Sequence, residues 1–149
     1  MRANAFIPCL STLLALTVAC GLFSSPEPDL THAATTLACG PADEGFTAIL
    51  LAGDPIESAE PSFPHVRIVI WEPVSALVPR TWDITTATGP GAWYVTGPGR
   101  VQSGLSGRVT VTSVDTTNKV DGTVELRFPS RVVETEFSAP WINSGVTCP

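Results

Sequence analysis

Between Val120 and Phe137 apolar and polar side chains alternate with a period of two, and few folds are open to a chain with that pattern. Val120, Val124, Leu126 and Phe128 fall on one side, with Gly122 among them, while Asp121, Thr123, Glu125 and Arg127 fall on the other. Val133, Thr135 and Phe137 then oppose Val132, Glu134 and Glu136. Successive side chains of a strand point to opposite faces, so this stretch reads as antiparallel sheet with one face buried and one wet. Upstream, Val109-Thr110-Val111-Thr112 alternates in the same way. Thr116-Thr117-Asn118-Lys119 and Pro129-Ser130 supply turn residues, so the C-terminal third is predicted to be a three-stranded meander.

The rest of the chain from Cys39 onward is consistent with that class. It is rich in Val, Thr and Trp and is cut by Gly and Pro at short intervals, which favours strands bounded by turns over helices. Phe46–Ala52 and Val66–Glu72 are strongly apolar runs, and Trp82–Thr86 and Ala92–Val95 are shorter ones. About seven or eight short strands with turns every 8–12 residues predict an antiparallel β-sandwich, with a small closed barrel as the alternative. Residues 39–149 are expected to form one domain, a comfortable size for a single core. Within it, Asp54–Pro64 is expected to be a long acidic loop. Thr88-Gly89-Pro90-Gly91 and Thr96-Gly97-Pro98-Gly99 form a short repeat that reads as two turns bracketing a strand, and no phosphate-loop string accompanies either copy.

The N-terminus has a different character. Arg2 precedes an apolar run from Ala5 to Ala19, broken by Pro8, Cys9, Ser11, Thr12 and Thr17. A basic start, an apolar stretch and a small residue before a cut form the layout of a secretory signal, and the run is too short and broken to read as a membrane span. It ends in Leu16-Thr17-Val18-Ala19-Cys20. This string resembles the lipobox of bacterial lipoprotein precursors, with Thr17 where that family most often carries Leu. The resemblance implies removal of residues 1–19, a lipid on Cys20 and attachment to the membrane through it. With Gly21 rather than Asp after the cysteine, it also implies an outer-membrane address. Thr36-Leu37-Ala38-Cys39 is a second, poorer string, separated from the apolar run by Ser24–Asp29. Residues 20–38, rich in Ser, Pro, Thr and Ala, are expected to be a disordered tether.

Cysteine parity agrees with this layout. Of the four cysteines, Cys9 leaves with the signal and Cys20 takes the lipid. Cys39 and Cys148 remain, and in an oxidising compartment two thiols are best read as one bridge. The C-terminal part, Gly107–Pro149, also resembles small exported bacterial β-domains of unassigned function. The resemblance rests on Gly122-Thr123-Val124, Phe137-Ser138-Ala139-Pro140 and the final Cys148. It implies the all-β class and the terminal disulfide, and no activity.

Charge and side-chain chemistry narrow the function. The chain carries net charge −6, which becomes −7 once Arg2 is removed. No Lys or Arg occurs from Ala3 through Val66, whereas seven acids fall between Glu27 and Glu60. Nucleic-acid binding and electrostatic adhesion to anionic lipid both need basic patches, so neither is expected. Asp43, Glu44, Asp54, Glu57 and Glu60 lack the alternation of a calcium loop and read as solvated surface, and no metal or cofactor is expected. His32 falls in the tether. His65 has no Gly-x-Ser-x-Gly elbow to serve, and Glu134 and Glu136 read as exposed charges. No catalytic residue is therefore assigned.

The remaining candidates are aromatic. Trp71 closes an apolar strand and is expected in the core. Trp93 and Tyr94 should point to opposite faces, and with Trp141 they are the candidates for stacking on a ligand. The expectation is a lipid-anchored, non-catalytic binding or structural module of the cell envelope. Its partner would be an envelope protein or a glycan, and its oligomeric state is left open. The alternative is a carbohydrate- or small-ligand-binding lipoprotein that uses exposed indoles.

Overall fold

The computed structural model describes residues 29–39, 45–85, 90–142 and 148. Nine strands are present among them: β1 His32–Cys39, β2 Gly45–Ala52, β3 His65–Ile70, β4 Arg80–Thr85, β5 Gly91–Gly97, β6 Arg100–Ser103, β7 Ser106–Asp115, β8 Lys119–Arg127 and β9 Val132–Pro140. A single 3-10 turn, Val74–Ala76, is the only helical element among the described residues. The strands form two sheets, ordered β1-β2-β3-β5-β6 and β4-β7-β8-β9. Every strand pairing within them is antiparallel. The sheets face each other as a sandwich. They meet at one side through an isolated bridge between Thr35 and Trp141 and are not closed into a barrel.

The period-two reading of the last third holds residue by residue. Val120, Val124, Leu126 and Phe128 are buried, and so are Val133 and Phe137, while Glu125, Arg127, Val132, Glu134 and Glu136 are exposed. Both expected turns are in place, at 116–118 between β7 and β8 and at 129–130 between β8 and β9. The opposite sheet contributes Ile49, Leu51, Val66, Ile68, Ile70 and Tyr94 to the same core. Each fully buried aliphatic side chain contributes about 1.5–3 kcal/mol relative to exposure, so the inter-sheet layer is the main source of stability. The second copy of the Gly-Pro repeat is the turn between β5 and β6. Gly99 there takes φ +68°, the value that a turn with Pro98 before it asks for and that only glycine adopts freely.

Three features differ from the sequence reading. First, the tether expected over 20–38 gives way to sheet at His32. Residues 32–38 belong to β1, and Ala34, Thr35, Thr36 and Ala38 are buried. Consecutive burial without alternation arises because β1 is covered on both faces. On one side the Thr35 hydroxyl donates to the Ala139 carbonyl at 3.0 Å. On the other, Ala34 and Thr36 stand beside Leu50 and Ala48, which are also fully buried. Thr36-Leu37-Ala38-Cys39, the second lipobox-like string, is thus the end of a sheet strand. Second, β6 is an extra short strand. Third, Trp71 is 55% exposed and not in the core. On β3 the inward residues are Val66, Ile68 and Ile70, so the residue after Ile70 turns outward.

Cys39 and Cys148 are brought together as a disulfide, with Cα atoms 5.4 Å apart and a sequence separation of 109. Residues 1–28, which include Leu16–Cys20, lie outside the described residues.

Candidate binding face

The outer face of the five-stranded sheet is built by the residues that alternate with the core set. Pairing places Ala38 beside Phe46, Ala48 beside Val69, Leu50 beside Arg67, Arg67 beside Trp93, and Val95 beside Val101. Over β1 and β2 this face is closed, with Ala34, Ala48, Leu50 and Ala52 fully buried although they lie outside the inter-sheet core. Over β3, β5 and β6 it is open. There Arg67, Val69, Trp71, Trp93, Val95 and Val101, with Ala38, Cys39 and Phe46 from the ends of β1 and β2, line a shallow depression.

Local packing fixes the aromatic groups. The rings of Phe46 and Trp71 are stacked, with centroids 5.9 Å apart and planes 15° from parallel. The indole of Trp93 folds back over Gly91, two positions earlier on the same face, and occupies the space where a Cβ would stand. A larger residue at 91 would lift the indole off the sheet. Val101 at the far side is 55% exposed. Two of the six large apolar side chains exposed among the described residues, Trp71 and Val101, line this depression. Arg67 is the one charged side chain that lines the depression.

The aromatic residues expected to form a ligand platform are not together. Trp93 is on the outer face. Tyr94, its neighbour, is buried between the sheets, as opposite facing requires. Its hydroxyl accepts a hydrogen bond from Arg131 at 3.3 Å, and the same guanidinium lies 5.2 Å from the ring centre. Trp141 is half-buried, and its Nε1 donates to the Asp115 carbonyl at 2.8 Å. It ties the end of β9 to the β7–β8 turn and offers no open ring beside Trp93. Trp82 is buried, with Arg80 4.7 Å from its ring centre. Phe46 and Trp71, rather than Tyr94 and Trp141, therefore accompany Trp93. The bulky alternation Val66, Ile68, Ile70 was the signal that could have placed Trp71 outside, whereas Phe46 had none, because β2 is apolar and buried on both faces after it.

The polar groups weighed for chemistry are also placed. His32 begins β1 opposite Ala52. His65 is buried at the start of β3, with Nδ1 3.2 Å from the Ser62 carbonyl. Burial holds its pKa below the ordinary histidine value, Arg67 pushes the same way, and the Ser62 carbonyl opposes both. The Ser62 hydroxyl donates to Asp54 at 2.9 Å, away from the imidazole, so Asp54, Ser62 and His65 make no nucleophile-base pair. Glu134 and Glu136 stand on the wet face of β9, one opposite Glu125 and the other opposite Thr123. Among the described residues no three His, Cys, Asp or Glu side chains are grouped to hold a metal ion. Asp43 and Glu44 of the acidic set lie outside the described residues.

Comparison with family models, with curated proteins and with solved structures finds no match to this chain.

Proposed function

We propose that this chain is a lipid-anchored, non-catalytic binding module of a bacterial cell envelope. In this reading Cys20 carries the lipid, Gly21 directs the protein to the outer membrane, and the open face over β3, β5 and β6 does the binding. The observation that carries the binding half is Trp71. An indole 55% exposed, stacked on Phe46 and continuous with Trp93 and Val101, leaves apolar area in water that contact with a partner would remove. The anchor half is supported by the Leu16–Cys20 string and by cysteine parity.

The carbohydrate alternative moves with the aromatic residues. A sugar would stack on Phe46, Trp71 and Trp93. Sugar sites also need hydrogen-bonding groups placed around the ring, and here the lining is apolar apart from Arg67 and the indole N–H groups. An apolar partner fits this face better.

Metabolic labelling with palmitate tests the anchor. Wild type takes the label and Cys20→Ser does not; equal labelling of both would refute it. Titrating indole fluorescence with soluble glycan fragments tests the alternative. A saturable change that Trp71→Phe abolishes would favour the sugar.

A further inference from the structure

We infer that the open face of the five-stranded sheet rests on the lipid surface of the bilayer that holds Cys20, with Trp71 and Trp93 at the headgroup boundary and Arg67 against lipid phosphate. The inference rests on the lipid anchor proposed above and adds to it an occupant for the face.

Three observations carry it. The first is the chemistry of the face. Indoles favour the membrane–water boundary, where the ring meets acyl chains and the N–H stays wet. Trp71 and Val101 are exposed, and Phe46 and the folded-back indole of Trp93 lie half-buried beside them, so the apolar groups line one shallow depression.

The second is charge. The chain is acidic, at −6, yet the open face is lined by one cation and no acid. The outward face of the other sheet is densely charged, with Asp121, Glu125, Glu134 and Glu136 beside Arg108, Lys119 and Arg127. Pressing those charges against lipid would cost far more than covering the first face. With a single Arg, the attraction does not depend on a surplus of anionic lipid, and phosphate of a zwitterionic headgroup suffices.

The third is reach. Nine residue steps separate Cys20 from Asp29, where the described chain begins. Fully extended, that segment spans about 30 Å at most. It enters β1, a strand of the same sheet that bears the face. A short tether gives the face a high effective concentration at the membrane, so a contact too weak to hold a free protein is populated once the lipid is inserted.

The test uses the lipidated full-length protein in vesicles of phosphatidylcholine and phosphatidylethanolamine, with and without bromine on the acyl chains. Bromine quenches indoles that reach the boundary. Wild-type fluorescence should be quenched. Quenching should be lost in Trp71→Phe/Trp93→Phe, kept in Trp82→Phe and in Trp141→Phe, and reduced in Arg67→Glu. If the protein neither takes palmitate nor floats with vesicles, the anchor fails and this inference fails with it. If it is labelled and floats but bromine does not quench it, the anchor stands and the docking is overturned. Shielding of Trp71 and Trp93 from iodide without quenching by bromine would mean that protein covers the face, and would equally overturn it.

Discussion

Phe137 of β9 stands directly across from Gly122 of β8, and its ring fills the space where a side chain at residue 122 would begin. An ideal Cβ there would lie 2.6 Å from the tip of the Phe137 ring, and it would also press on the main-chain carbonyl of Thr110. Gly122→Ala is therefore expected to destabilise the domain by about 1–3 kcal/mol, the usual cost of overpacking. Trimming the ring does not free the site, because the Thr110 carbonyl stays. The double variant with Phe137→Leu should be less stable than either single one in urea unfolding. Rescue by Phe137→Leu would show that the ring alone sets the limit.

The Cys39–Cys148 pair joins the end of the first strand to the end of the chain across 109 positions. In the chain-entropy model a loop of about 100 residues is worth roughly 4.7 kcal/mol, and realised values are nearer 2–4. Replacing both cysteines by Ser should lower stability by that amount, and reductant should lower the melting temperature of wild type alone. Two free thiols in protein taken from cells, or a melting temperature indifferent to reductant, would contradict this.

The four indoles should separate cleanly by substitution. Trp82 is 8% exposed and belongs to the inter-sheet core, so Trp82→Ala should cost about 3–5 kcal/mol. Trp71 loses little besides its stack on Phe46, so Trp71→Ala should cost only about 0.5–1.5 kcal/mol. Thermal melts of the two variants give the comparison. Equal losses would place Trp71 in the core after all.

His65 makes stability depend on pH. Its folded pKa lies below the unfolded value of 6.5, so the unfolded chain binds the proton more tightly. The stability associated with neutral His65 is fully present above that value and is lost as pH falls from it toward the folded pKa. Denaturant midpoints should therefore drop between pH 8 and pH 5 (about one pH unit either side of a histidine's usual range). The drop should be smaller in His65→Gln. An unchanged profile in that variant would assign the acid sensitivity to other groups.

What could be read from the sequence followed from one condition: a strand with one wet face writes its orientation into its residues. β7, β8 and β9 have such a face, and the inward facing of Val109, Val124 and Phe137 follows there without the structure. β1 has none. Ala34, Thr35 and Thr36 are buried in succession between β2 and β9, and a run of small residues covered on both sides looks like a spacer. β2 is likewise buried from Thr47 through Ala52, so its apolar run announced a strand but not which side Phe46 would take. Trp71 is a different case: β3 does alternate, and the parity of Val66, Ile68 and Ile70 puts Trp71 outside although it ends an apolar run.

The bridge between Thr35 and Trp141, with the Thr35 hydroxyl on the Ala139 carbonyl 104 positions away, has a consequence for the order of events in folding. The first strand lies beside the last, so the side of the sandwich where they meet stays open until residues 132–142 are available. Contacts so distant in sequence form slowly, because loop-closure entropy is lost before the contact rewards it. A chain emerging N-terminus first would carry β1 and β2 for most of its length with that side unmet. Completion of the domain is then a late step, set by the arrival of β9 rather than by the strands already made.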